Sequence, residues 1–267
     1  MSITLTQGIL LTIMAIIVGV DFFLEAFFIF RPLIVSTLTG MILGNVTLGL
    51  KVGALIELAF AGLTPAGGTQ PPNPVFAGLM GTVLAYTTGC TPEEALGLCL
   101  PFSFLGQYVI LFYYSAFSFF MGEADKAAAE GDSKTIGRVN IRCMLIVSLT
   151  YGVLAFLCAY LAQGPMQAFV NALPEVITHG LEVAGGILPA VGFGMLLRTM
   201  MKAKYTPYLI AGFLMACFID MPNLLPVALL GVVFALIDFF NAKARKEEIK
   251  EAIANAGVKG GNDSYGI

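Results

Sequence analysis

Long apolar runs separated by short polar connections dominate the chain as far as about residue 240. A helix needs about 20 predominantly apolar residues to cross the hydrocarbon core of a bilayer. The pattern therefore predicts an all-α, polytopic integral membrane protein with about nine apolar segments, the shorter of which can be re-entrant hairpins. These segments cover residues 8–30, 33–50, 75–88, 95–121, 143–161, 183–197, 205–219 and 224–240, with a further short run that begins at Lys51.

One stretch interrupts the apolar pattern in a way that a straight helix does not permit. Residues 54–75 read ALIELAFAGLTPAGGTQPPNPV, an apolar helical beginning followed by glycines, prolines and small polar residues. Prolines remove backbone donors and glycines release backbone torsions. Non-helical backbone at membrane depth is tolerated only where protein or a water-filled cavity surrounds it, and transporters build substrate sites from such interrupted segments. We interpret this stretch as the floor of a binding site.

Four ionisable side chains, Asp21, Glu25, Arg31 and Glu57, lie inside or beside the predicted spans. Such groups are costly in a bilayer and are usually functional or paired. The spacing of Asp21 and Glu25 predicts that both carboxylates share one helical face. A structural role is equally open, in which Arg31 neutralises one carboxylate and the group holds helices together. For Glu57, about two turns before the broken stretch, we favour contact with a sugar or an ion.

The broken stretch also carries the polar side chains Thr64, Thr69, Gln70 and Asn73. Hydroxyl and amide groups both donate and accept hydrogen bonds, which suits a polyol ligand better than a charged metabolite. The alternative is a proline-rich turn at the membrane surface. The predicted substrate-binding residues are Glu57, Thr69, Gln70 and Asn73, with Asp21, Glu25 and Arg31 as supporting ionisable groups within the membrane.

Composition agrees with lipid as the solvent of this chain. Hydrophobic residues make up 58% and charged residues 12%, against about 25% charged in a typical soluble domain. The net charge of -3 and the lack of a basic patch give no indication of a nucleic-acid partner. The sequence shows no phosphate-binding glycine loop with a lysine, no GxSxG and no metal-ligand spacing, so we predict no catalytic residue, cofactor or metal. We interpret His179, the single histidine, as structural or gating.

Positive charge predicts the orientation in the membrane. The basic connections are residues 126–142, 198–204 and 243–250. Alternate crossing places all three on one side, and cytoplasmic connections carry the excess of Lys and Arg. The sequence therefore predicts a cytoplasmic C-terminus, with a membrane-embedded domain over residues 1–241 and a charged cytoplasmic tail over 242–267.

Several separated blocks of sequence resemble one family. The blocks are LEAFFIFRPLIVSTLTGMILGN, ELAFAGLTPAGGTQPPNP and LPEVITHGLEVAGGILPAVGFGMLLRTM. They resemble the IIC permease subunit of the bacterial phosphoenolpyruvate-dependent sugar phosphotransferase system (PTS), mannose/sorbose family. The resemblance covers roughly residues 3–245. Within the family, the second block and the run YVILFYYSAFSFFM are most similar to the N-acetylgalactosamine and galactosamine members.

The resemblance implies a multi-pass protein of the bacterial inner membrane that acts as the sugar-translocating subunit, EIIC. It implies a second membrane subunit, IID, in an oligomeric complex, and soluble IIA and IIB subunits that relay phosphate through histidines. IIB would phosphorylate the sugar as it emerges in the cytoplasm. By motif position, Glu57, Thr69, Gln70 and Asn73 would line the sugar site.

Two other functions fit the residues without the resemblance. One is a stand-alone secondary transporter of a small polar solute, coupled to an ion through Glu57 or Asp21. The other is a membrane-embedded enzyme acting on a lipid-linked substrate. Uptake that requires phosphoenolpyruvate and delivers phosphorylated sugar separates the PTS function from both.

Overall fold

The computed structural model describes residues 2–63, 70–219 and 225–255 of the chain. Within these ranges the secondary structure is helical, which confirms the predicted all-α class. Thr64 and Thr69 lie outside the described residues. The helices are α1 Leu5–Leu24, α2 Pro32–Leu43, α3 Val46–Phe60, α4 Pro74–Thr88, α5 Pro92–Ala116, α6 Ser118–Glu130, α7 Ser133–Phe156 with a π-helical extension Leu157–Leu161, α8 Gln163–Asn171, α9 Glu175–Met200, a 3-10 turn Ala203–Tyr205, α10 Thr206–Phe218 and α11 Leu225–Asn255.

Five of the described helices are long and apolar enough to cross a membrane. They cover Leu5–Leu24, Pro92–Ala116, Ser133–Leu161, Glu175–Met200 and Leu225–Ala252. Helices α2 and α4 are also apolar but have only 12 and 15 residues. At 1.5 Å per residue, even the longer of these two reaches only about 22 Å, against about 30 Å of hydrocarbon. The predicted number of nine segments is therefore not confirmed.

The predicted apolar run 33–50 is divided into two helices. Gly44 ends α2 in the left-handed conformation with φ of 82°, and the Asn45 side chain caps the start of α3. A left-handed glycine followed by an N-capping asparagine stops one helix and starts the next. The two helices then pack closely, because a Cβ added at Gly49 would lie 2.3 Å from the Ser36 carbonyl oxygen. The run therefore forms a hairpin of two short helices.

Helix α4 is central to the bundle and is buried over most of its length, in contact with α2, α3 and α5. Two glycines permit the close approach of its neighbours. A Cβ added at Gly78 would lie 3.0 Å from the Pro32 carbonyl oxygen, and one at Gly81 would lie 2.7 Å from Ile56 Cδ1. Gln70 and Asn73, which directly precede α4, are buried, so the described end of the broken stretch lies in the interior of the bundle.

A polar hairpin connects α6 to α7. Gly131 ends α6 with φ of 72°, and the Asp132 side chain caps α7. Arg142 then donates two hydrogen bonds of 2.8 Å to the two carboxylate oxygens of Glu123. This guanidinium holds the pKa of the Glu123 carboxyl below its usual value. The pair ties the two helices together at their polar ends.

Contacts divide the chain into two units, Met1–Thr199 and Met200–Ile267. In the second unit, α10 packs on α11 through Tyr208 and Phe234, whose ring centroids are 5.6 Å apart. The sequence of α11 changes from apolar to charged within one uninterrupted helix. The predicted boundary between residues 241 and 242 falls inside this helix, and that division into a membrane domain and a tail stays a prediction.

Candidate functional site

Glu57 lies on α3 and is paired with Arg31. The Arg31 Nε donates to Glu57 Oε1 at 2.7 Å, and the Nη2 of the same guanidinium donates to the same oxygen. Glu57 Oε2 accepts from the backbone N–H of Leu33 at 3.2 Å, in the first turn of α2. The side chains of Arg31 and Glu57 remain 35% and 23% exposed. Glu57 therefore neutralises Arg31 and also satisfies a free donor at a helix N-terminus, where negative charge is favourable.

Asp21 holds the turn that follows α1. It is buried, with 4% of its surface exposed, and its carboxylate accepts from the backbone N–H groups of Phe27 at 2.8 Å and Ile29 at 2.7 Å. The expectation that Asp21 and Glu25 share a helical face is wrong, because α1 ends at Leu24 and Glu25 is its left-handed C-cap with φ of 48°. Asp21 thus organises the non-helical chain that leads to Arg31.

Asn73 is fully buried at the start of α4. Its Oδ1 accepts from the backbone N–H groups of Val75 at 2.9 Å and Phe76 at 3.2 Å, which makes it the N-cap of that helix. Its Nδ2 donates to the hydroxyl of Tyr151 on α7 at 2.6 Å. One amide group therefore both starts α4 and joins it to α7.

Gln70 is nearly buried, with 9% of its surface exposed, and is bound to α5. The Tyr114 hydroxyl donates to its Oε1 at 3.0 Å, and the Gln107 Nε2 donates to its carbonyl oxygen. Ser103, one turn earlier on α5, donates from its hydroxyl to the Asn73 carbonyl at 2.8 Å. The end of the broken stretch is thus fixed against one helix by polar contacts.

The α5 residues in these contacts were missed in the sequence analysis. Ser103, Gln107 and Tyr114 are spaced by four and seven residues, so they lie on one face of α5. That spacing in an otherwise apolar helix is the signal that could have identified them. We call Gln70, Asn73, Ser103, Gln107, Tyr114 and Tyr151 the polar cluster.

The predicted site residues therefore fall into two groups. Gln70 and Asn73 belong to the polar cluster, whereas Glu57 and Arg31 form a separate ion pair. Among the described residues, no hydrogen bond joins the two groups. Thr69, the remaining predicted contact, lies between them in sequence and outside the described residues. His179 is elsewhere, 76% exposed, with its Nδ1 3.4 Å from Glu182 Oε2.

The fold and these polar groups define a polytopic helical membrane protein with amide, hydroxyl and charged side chains enclosed among its helices. Residues 5–237 match the family model described as "PTS system sorbose-specific iic component". The chain belongs to this family, and it is the sugar-permease IIC component of a phosphotransferase system, which works with other PTS components. This confirms the family and the function that the sequence blocks predicted.

Relatives named for different sugars support this assignment. N-acetylgalactosamine permease IIC component 1 of Escherichia coli K12 is 61% identical over 95% of both chains. The sorbose-specific EIIC component of Klebsiella pneumoniae is 32% identical over 93% of this chain and 94% of its own length. The fructose permease IIC component of Bacillus subtilis 168 is 31% identical over 95% and 93%.

Two solved structures share the fold. One, described as "Structure of membrane protein", has a TM-score of 0.80 and 29% identity over 89% of this chain and 96% of its own. The other is a cryo-EM structure of the mannose transporter ManYZ in complex with microcin E492. It has a TM-score of 0.58 and 29% identity over 90% of this chain and 96% of its own.

Proposed function

We propose that this IIC component takes up N-acetylgalactosamine, or the related amino sugar galactosamine, and passes it to a IIB subunit for phosphorylation. The observation that carries the proposal is the 61% identity to the N-acetylgalactosamine permease over 95% of the chain. Relatives named for fructose or sorbose are only 31% and 32% identical. An amino sugar is therefore the substrate class that the comparisons support best.

We further propose that the sugar binds beside the broken stretch, with Glu57, Thr69, Gln70 and Asn73 as its contacts. Glu57 supports this because it is 23% exposed, and among the described residues its Oε2 has a single partner, the Leu33 N–H at 3.2 Å. A carboxylate oxygen accepts more than one hydrogen bond, and a charged acceptor strengthens a bond from a sugar hydroxyl.

The amide residues of the proposed site contribute in different ways. No described hydrogen bond engages the Gln70 Nε2, so this group is open to donate to a sugar oxygen. Asn73 is fully buried and its Oδ1 already accepts two backbone bonds. Asn73 therefore reaches the sugar only through the second hydrogen of its Nδ2, and its main contribution is to fix the backbone that carries Gln70.

Asp21, Glu25 and Arg31 act as supporting groups in this proposal. Arg31 orients the Glu57 carboxylate, and Asp21 orders the turn that presents Arg31. Pairing with Glu57 compensates the Arg31 charge beside the proposed sugar contacts.

The partners and the orientation follow from the family and the charge pattern. We propose an inner-membrane complex with IID and with soluble IIB and IIA, in which the C-terminus faces the cytoplasm. The basic connections 126–142, 198–204 and 243–250 support this orientation. The alternating charges of α6 and the first turns of α7 suit a surface outside the hydrocarbon.

Uptake by cells that lack this subunit tests the function. Complemented cells are expected to accumulate labelled N-acetylgalactosamine as its phosphate ester, whereas cells that also lack IIB are expected to accumulate neither form. Free sugar accumulated without phosphoenolpyruvate would contradict the proposal and favour an ion-coupled transporter. Mannose or sorbose taken up in preference to both amino sugars would overturn the substrate alone.

A further inference from the structure

An apolar cavity, partly open to the surface, lies in the first unit and shares no lining residue with the Arg31–Glu57 pair or the polar cluster. It has a volume of about 320 Å³ and lies among α4, α5, α8 and α9. All nine of its lining residues are apolar, among them Leu84, Leu98, Phe102, Val170 and Leu173. Leu84 and Leu98 are almost completely buried, so the cavity extends into the protein and is more than a dent in its surface.

The sequence of α5 accounts for this cavity. Pro101, inside α5 and in the cavity wall, removes the backbone donor that the Gly97 carbonyl would otherwise bind. On the edge of the cavity α5 and α9 touch, because a Cβ added at Gly97 would lie 3.0 Å from Leu181 Cδ2. The helices are therefore in contact beside the cavity yet leave its volume unfilled.

The chemistry of the lining selects the class of ligand. Apolar cavities of about 150 Å³ stay free of water and take up small hydrocarbons. A sugar would bury its hydroxyl groups here without hydrogen-bond partners, which is unfavourable. In a protein surrounded by lipid, the abundant apolar ligand of suitable size is a segment of an acyl chain.

Charge near the cavity narrows the choice of lipid. Carboxylates of Glu93 and Glu94 lie in the first turn of α5, one turn from Gly97, and Glu182 follows Leu181 on α9. No Lys or Arg occurs in residues 52–125 or 143–197, which include every lining residue. Among the described residues next to the lining in sequence, His179 is the only basic one, and its Nδ1 lies 3.4 Å from Glu182 Oε2. Carboxylates on α5 and α9, in stretches of sequence that contain no Lys or Arg, favour an ammonium headgroup over an anionic one.

We propose that this cavity binds one acyl chain of a phospholipid with a primary ammonium headgroup, of the phosphatidylethanolamine type. The acyl segment fills the space beside Pro101, and the ammonium group lies near the carboxylates at the ends of α5 and α9. This site is separate from the proposed sugar site, so lipid binding and sugar specificity are tested independently.

Photolabelling of the assembled complex in membranes tests the proposal. The probe is phosphatidylethanolamine with a diazirine in one acyl chain, and labelled peptides are identified by mass spectrometry. We expect label on residues 97–102 and 170–181. Val170→Phe fills the cavity and is expected to lower this label at least threefold. Val183→Phe is the matched control, because Val183 is 48% exposed on α9 and does not line the cavity; its label is expected to stay at the wild-type level.

A second probe and a second variant complete the test. Phosphatidylglycerol with the same acyl chains is expected to label these peptides at least threefold less than phosphatidylethanolamine does. Glu182→Gln is expected to reduce this difference between the two lipids. If Val170→Phe fails to assemble, Ile177→Phe replaces it, since Ile177 lines the cavity but is 47% exposed. Equal labelling of the filled variant and Val183→Phe, or equal labelling by both lipids, would overturn the proposal. Labelling by neither lipid would also overturn it.

Discussion

Replacement of Glu57 by glutamine separates the structural role of this carboxylate from its proposed contact with sugar. Glu57 accepts three hydrogen bonds, two from the Arg31 guanidinium and one from the Leu33 N–H. Glutamine offers one acceptor oxygen and one donor nitrogen. The variant therefore keeps either the two bonds from Arg31 or the one from Leu33, and its amide nitrogen faces the other donor.

The size of the effect follows from these bonds. Hydrogen bonds to charged groups contribute about 1.5–3 kcal/mol. Water reaches both side chains, which remain 35% and 23% exposed, so for the free energy of unfolding we expect a loss near the lower end, about 1.5 kcal/mol. If a sugar hydroxyl also binds the carboxylate, the dissociation constant for N-acetylgalactosamine should rise about 10- to 150-fold, the equivalent of 1.5–3 kcal/mol.

The assay measures sugar binding and thermal unfolding of the purified complex. Glu123→Gln is the matched control, because Glu123 is also paired with an arginine, Arg142, but lies away from the broken stretch. Its sugar affinity should equal that of the wild type. Arg31→Gln should destabilise the protein while leaving most of the affinity. An unchanged dissociation constant in Glu57→Gln would refute the contact, and a full loss of affinity in Arg31→Gln would show that Glu57 acts only through the ion pair.

Four further predictions follow from the polar contacts and the charge pattern. Asn73→Ala removes the α4 cap and leaves the buried Tyr151 hydroxyl without its donor, so denaturation should show a loss of about 2–4 kcal/mol in the free energy of unfolding. Tyr151→Phe keeps the cap and should lose less stability than Asn73→Ala. Equal losses in the two variants would contradict the capping role. Gln70→Ala removes the Nε2 donor of the proposed site together with the Tyr114 contact, and should weaken sugar binding by about 1 kcal/mol in titration calorimetry, with assembly retained. His179→Ala should leave the complex competent in sugar phosphorylation, and a phosphorylated form of this subunit that disappears in the variant would refute this. Single cysteines at Lys134 and Lys250 should react with an impermeant reagent only from the cytoplasmic side and one at Glu93 only from outside; the reverse pattern would overturn the orientation.

The sequence by itself determined the features that depend on neighbouring residues. Apolar runs predicted helices in lipid, and prolines and glycines after Glu57 predicted the interruption between α3 and α4. Helix propensity, capping and hydropathy act over a few residues, so they can be read from the chain directly. The prediction that Asp21 and Glu25 share a helical face was wrong for the same reason. A four-residue spacing places two side chains on one face only while the helix continues, and α1 ends at Leu24, between them.

Only the tertiary structure decided which polar groups meet. Arg31 pairs with Glu57, 26 residues away, and not with Asp21 or Glu25, which are nearer in sequence. Asn73 binds Tyr151, 78 residues away, through a contact between two helices. Such pairs depend on how helices pack, and packing is set by the shapes of whole faces and by glycines that let backbones approach. The sequence thus determined that polar groups are enclosed in an apolar bundle, and packing decided which of them pair with one another.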